Sequence, residues 1–202
     1  GLKDLRKLAT KGGLSKSQAD FLVFVAYGES KGHTDVARGD PSLFPPGVWG
    51  HTAMGDASRA RDAYEGAPWI ADCGQAPSTF WFGSGGLFQM LPTYGVAQFR
   101  GTPLECVAAS EVFDPPFAIA AAYGFARGLS RRDEYLGSVA SLRSGWGWPA
   151  HMGDANRIEE KSPKWQRHLD ELGMSRSWLF AQAPSWPERD WVELYRSMGG
   201  RL

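Results

Sequence analysis

From Cys73 to Phe99 the chain runs through 27 residues without one charged side chain, among them Phe80, Trp81, Phe82, Phe88, Tyr94 and Phe99. A segment this apolar and aromatic cannot be solvated along its whole length. It must form deep core or the wall of a cleft. The same bias runs through the molecule, with 9 Trp, 6 Tyr and 11 Phe in 202 residues. A core of this size absorbs most of them. The remainder suit a groove that binds flat, partly apolar partners such as sugar rings.

Length points to one domain. The charge balance excludes several partners: Lys and Arg (22) cancel Asp and Glu (22), with 9 of each sign in residues 1–98, 5 in 99–149 and 8 in 150–202. No block is basic enough for a nucleic-acid footprint or an anionic lipid surface. The longest apolar run, Phe21 to Tyr27, is far short of the ~20 residues needed to span a bilayer. Cys73 and Cys106 are too few for a disulfide framework, and they read equally as one bridge or two unrelated thiols. His33, His51, His151 and His168 show no paired ligand spacing, so no metal and no cofactor are expected. The chain opens on Gly1 without a signal-like segment and reads as a processed or excised piece.

Helical signals dominate. Ser15-Lys16-Ser17-Gln18 is a capping box opening a helix to Glu29, with Phe21, Leu22, Val25 and Ala26 as its apolar stripe. A short helix is expected over about 57–64 inside a turn-rich stretch, 31–72. Asp114-Pro115-Pro116 starts an alanine-rich helix that Gly128 should stop. Further helices are expected from Asp133 to about Leu142, from Ser162-Pro163 to Gly173, and from a second capping box at Ser185 to Met198. The fold class is therefore mainly α, with at most a small β hairpin inside 31–85.

Gly28-Glu29-Ser30-Lys31-Gly32 fits two patterns. As G-x-S-x-G it would be a hydrolase nucleophile elbow with Ser30 as nucleophile, but that motif needs a strand before it and a helix after it. A helix precedes it here and a Pro/Gly-rich loop follows. As Glu-Ser at the end of an apolar helix, it is followed by Gly86-Leu87-Phe88-Gln89-Met90-Leu91-Pro92-Thr93. Next come Val112-Phe113-Asp114-Pro115-Pro116, with a helix through Tyr123 and Leu129, and then Ser141-Leu142-Arg143-Ser144-Gly145. In this order and spacing the chain resembles the soluble lytic transglycosylases and the related goose-type lysozyme-like proteins, over about residues 15–148. The sequence departs from them in Phe88 for Met, in Leu142-Arg143 for Tyr-Asn, and in a longer interval between Glu29 and Gln89.

The resemblance implies a lysozyme-like, two-lobed helical domain with a cleft over 1–149. It carries an insertion around 31–84, and 150–202 forms a helical extension packed on the same domain. It further implies cleavage of peptidoglycan glycan strands between N-acetylmuramic acid and N-acetylglucosamine. Glu29 would be the catalytic acid and base, with Ser30, Phe88, Gln89, Trp81, Tyr123, Arg143 and Trp146 on the substrate side. The setting would be the bacterial periplasm or cell wall, with the chain carried in a phage virion or a secretion assembly. Glycosidic cleavage needs a proton on the leaving oxygen, which a glutamate in an apolar pocket can deliver. In the transglycosylase outcome, the C6 hydroxyl of muramic acid then attacks C1 and leaves a 1,6-anhydro ring. A hydrolytic lysozyme would recruit a second carboxylate from Asp35, Asp40, Asp56 or Asp72, with Asp72 nearest the uncharged stretch. A non-catalytic glycan-binding module on the same scaffold is the third reading. Ordinary roles compete throughout: Gln89 as an amide tying loops, Trp146 and Trp148 as core packing, and the aspartates as turn caps.

Overall fold

The Ser15 capping box forms as its sequence predicts. Ser15 Oγ accepts from Gln18 N, and the Gln18 side chain accepts from Ser15 N at 2.8 Å. In the computed structural model, which describes residues 1–106 and 109–201, this box opens helix α2, Lys16–Ser30, behind a short α1, Leu2–Lys11. Residues 18–26 of α2 are buried on every face, not along a single stripe, so α2 is the central helix. Asp20 is buried there with its charge matched by Arg6 at 2.8 Å and Lys16 at 2.6 Å. The helix ends where Lys31 takes a left-handed conformation, with its Nζ 3.8 Å from the centre of the Tyr27 ring. Glu29 is thereby fixed in the last turn.

Residues 31–85 hold a three-stranded sheet where a hairpin was expected. Strand β1 (Val36–Gly39) lies between β2 (Trp49–Thr52), which runs parallel to it, and β3 (Gly83–Gly85), which runs antiparallel. Neither pair is joined by a tight turn. Helices α3 (Met54–Glu65) and α4 (Ser78–Trp81) fill the intervals, and Cys73 is bonded to Cys106, which pins this segment to the loop beyond α5 (Pro92–Ala97).

Helix α6, Pro115–Ser130, starts after Asp114 as expected and runs two residues past Gly128. The later boundaries differ from the sequence reading. Helix α7, Val139–Gly147, is capped by Ser138, whose side chain accepts from Ser141 N. Helix α8, Ala155–Glu171, is capped by Asp154 and passes through Pro163. Residues 183–190 are extended, not helical, and α9 is only Trp191–Ser197, capped by Asp190. The reason for this last difference is tertiary. Trp186 is buried edge-on against Phe21 and Tyr123, while the Ser185 and Pro187 carbonyls accept from Gln18 and from Tyr123 Oη. Helix α8 packs on α2 and α7, and α9 on α6, around one continuous core.

Candidate active site

The carbonyl of Val36 in β1 accepts two hydrogen bonds, from Gly86 N at 2.9 Å and from Gln89 Nε2 at 3.0 Å. Gly85 and Met90 close the loop with a reciprocal backbone pair at 3.1 Å. Gly86 has φ +72°, and a Cβ there would sit 2.1 Å from the Val112 carbonyl, so glycine is required. Gln89 itself has φ +47°, a conformation non-glycine residues seldom adopt. The strain persists because both bonds from its amide nitrogen, the second to the Gly86 carbonyl, hold it there. Gln89 Oε1 is buried and has no partner among the described residues.

This loop faces the end of α2. Ser30 Oγ, buried, lies 2.9 Å from the Leu87 carbonyl and accepts from Gly32 N, so Ser30 ties helix to loop and does not face the cleft. Glu29 does. It lines a cavity of about 450 Å³ with Phe88, Gln89, Tyr94, Trp146 and Asp56, joining residues that are up to 117 positions apart. Phe88 and Trp146 form the floor, their rings 5.9 Å apart, with the indole nitrogen donating to the Phe88 carbonyl at 3.4 Å. Trp146 is thus packed on Phe21 and Phe125 and presents little face to a ligand. Tyr94, half exposed on the wall, offers more surface, and the uncharged 73–99 stretch was its only signal.

Arg143, one of the two residues that depart from the Tyr-Asn pattern, makes a polar contact to Glu29 of its own. From α7, its Nη2 donates to Glu29 Oε1 at 2.7 Å, with the two side chains 8% and 20% exposed. Among the described residues Oε2 has no partner. Gly28 makes the approach possible, because a Cβ there would lie 2.8 Å from Arg143 Nη2 and 3.3 Å from His168 Nδ1. His168 backs this pair, packed edge-on against Tyr27, and its Nδ1 is buried without a partner among the described residues. Burial, reinforced by the charges of Lys31, Lys164 and Arg143, pushes its pKa from 6.5 down to about 4. Neither Gly28 nor His168 was legible as a site residue.

Two other expectations are corrected. Tyr123 is fully buried, donates to the Pro187 carbonyl at 2.7 Å and packs on Trp186 and Trp191, so it anchors the extended C-terminal segment. Trp81 lies off the cavity, between Tyr64 and the Arg61 guanidinium 4.6 Å from its ring.

Of the four aspartates, only Asp56 reaches the cavity. It is nearly buried, paired with Arg59, 3.7 Å from Arg38 Nε, and accepts from Ser84 Oγ at 3.5 Å. Asp40 caps the turn Pro41–Leu43, and Asp35 and Asp72 are exposed elsewhere. Among the described residues, no three His, Cys, Asp or Glu side chains gather as metal ligands would, and no helix is long and apolar enough to cross a membrane. No family model, curated protein or solved structure matches the chain.

Proposed function

We propose that the chain is a peptidoglycan-cleaving enzyme with a lysozyme-like helical fold, and that Glu29 is its catalytic acid and base. One observation carries the reading. Glu29, ending a buried helix, shares a cavity with Gln89 and an aromatic floor, and one of its carboxylate oxygens is held while the other is left open. Cleavage of the β-1,4 bond uses that open oxygen. Protonated Oε2 gives its proton to the glycosidic oxygen as the C1–O bond breaks, and Arg143 pairs the carboxylate left behind. The carboxylate then takes the proton of the muramic acid C6 hydroxyl, whose oxygen bonds to C1. The product is a 1,6-anhydro end, and no water is consumed. The attacking hydroxyl is tethered to the reacting ring, so no second base is required.

Gln89 supports the reading by shaping the cavity wall, since its amide nitrogen ties the 86–90 loop to the Val36 and Gly86 carbonyls beside Glu29. The Cys73–Cys106 bond fits an oxidising compartment, such as the bacterial periplasm, or a phage or secretion particle acting there. A second reading, hydrolysis, is favoured by Asp56, the one other carboxylate on the cavity among the described residues. Its pairing with Arg59 and Arg38 gives it a role in building the wall and argues for the single-glutamate route. Turbidity of purified peptidoglycan tests the function itself. Wild type should clear it and Glu29→Gln should not, whereas no clearing by micromolar wild type would leave only a binding module.

A further inference from the structure

Arg157, Lys161 and Lys164 recur at i, i+4 and i+7 along α8 and therefore share one helix face. Opposite them, Gly147 at the end of α7 and Trp148 just after it complete a second cavity of about 300 Å³. Among the described residues, no acidic side chain lines it. Arg157 and Lys161 share Glu160 at 2.7 and 3.4 Å, Arg143 is matched by Glu29, and Lys164 has no ion-pair partner among the described residues. Four cations thus line a concave site, offset by two carboxylates outside its lining, and in such a site field lines concentrate and anions are drawn in. Trp148 is 50% exposed, its ring braced by stacking on His151. A large indole open to solvent beside surplus cations is a surface for a ligand that is both anionic and partly apolar.

The groove adjoins the candidate active site. Gly147 lines both cavities, and Arg143 lines the groove while its Nη2 holds Glu29. We propose that this groove binds the peptide stem carried by the glycan, taking its carboxylates on Lys161 and Lys164 and its aliphatic parts on Trp148. The inference rests on the reading of Glu29 as the glycan-cleaving acid, because it is that reaction that places a muramic acid, and so a stem, beside Arg143. It makes the enzyme selective for peptide-bearing over denuded glycan.

Binding to the Glu29→Gln protein, which holds substrate without cutting it, tests the proposal. The probes are a muropeptide tetrasaccharide with its tetrapeptide stems and the same tetrasaccharide after the stems are removed. The stem-bearing probe should bind at least ~10-fold tighter, the scale of one or two charge-assisted hydrogen bonds. That advantage should vanish in Lys161→Gln/Lys164→Gln, two solvent-facing changes, and shrink in high salt. Equal affinity for both probes, or an advantage kept by the double variant, overturns the groove alone. Failure of both probes to bind overturns the groove together with the proposed function.

Discussion

Glu29 and Gly28 do separate jobs one residue apart. Replacing Glu29 by Gln keeps an oxygen for Arg143 but removes the transferable proton. Activity should fall at least ~100-fold, the usual scale of general acid catalysis, with the thermal melt nearly unchanged. Gly28→Ala attacks the same pair from behind. A methyl 2.8 Å from Arg143 Nη2 forces the guanidinium away from Glu29. Alanine also gains roughly 0.5–1 kcal/mol over glycine inside a helix, so stability is nearly conserved. The expected result is a ~10- to 100-fold drop in turnover with little change in Tm, in line with the cost of misplacing a catalytic group by about an ångström. Unchanged turnover would show that the Arg143 contact does not position Glu29. His168 gives a pH signature. Its folded pKa, about 4, lies below the ordinary 6.5, so the unfolded chain binds the proton more readily. Stability should therefore be full above pH 6.5 and fall as the pH drops toward 4, by up to ~3 kcal/mol at ~1.4 kcal/mol per unit. His168→Phe should flatten that part of the Tm profile.

At the scale of elements, local chemistry announced those helices whose caps are satisfied locally. The Ser15–Gln18 box is read correctly because Ser15 Oγ and Gln18 Oε1 both bond within it, leaving only the Gln18 amide nitrogen to reach Ser185. The α6 start is read correctly because prolines fit the first turn without any side-chain cap bond from Asp114. The Ser185–Glu188 pattern misleads for the opposite reason. Trp186 is drawn into the core, and Glu188 approaches Arg127 at 3.7 Å and does not return to its own backbone. Pro163 misleads because a helix already started at Asp154 passes through it. The hydrogen bond that proline cannot donate would have ended on Glu159, an exposed residue. Parallel pairing of β1 with β2 was invisible, since four-residue strands show no alternation worth counting. The Cys73–Cys106 bond closes a 33-residue separation, for which chain entropy predicts ~3–4 kcal/mol of stabilisation. Cys73→Ser/Cys106→Ser should lower unfolding free energy by about that amount in a denaturant titration. A loss under ~1 kcal/mol would mean the 68–106 segment is held by its packing alone.

Across the whole molecule, the motif order in the sequence pointed to two parts of the cavity, Glu29 and the 86–90 loop, and to Arg143, which holds Glu29 from outside the lining. It could not show that Tyr123 and Trp81 lie outside the cavity, because motif order does not reveal which side of a helix meets a distant segment. Nor could it choose among four loop aspartates, a choice that depends on which one α3 carries inward. The central claim is that one glutamate cuts the glycan without a second carboxylate. Mass spectrometry of peptidoglycan digested by wild type, Glu29→Gln and Asp56→Asn tests it most directly. The account predicts fragments ending in 1,6-anhydro-N-acetylmuramic acid, lighter by one water than hydrolysed ends, from wild type and Asp56→Asn but not from Glu29→Gln. Reducing ends from wild type, together with an inactive Asp56→Asn, would contradict it.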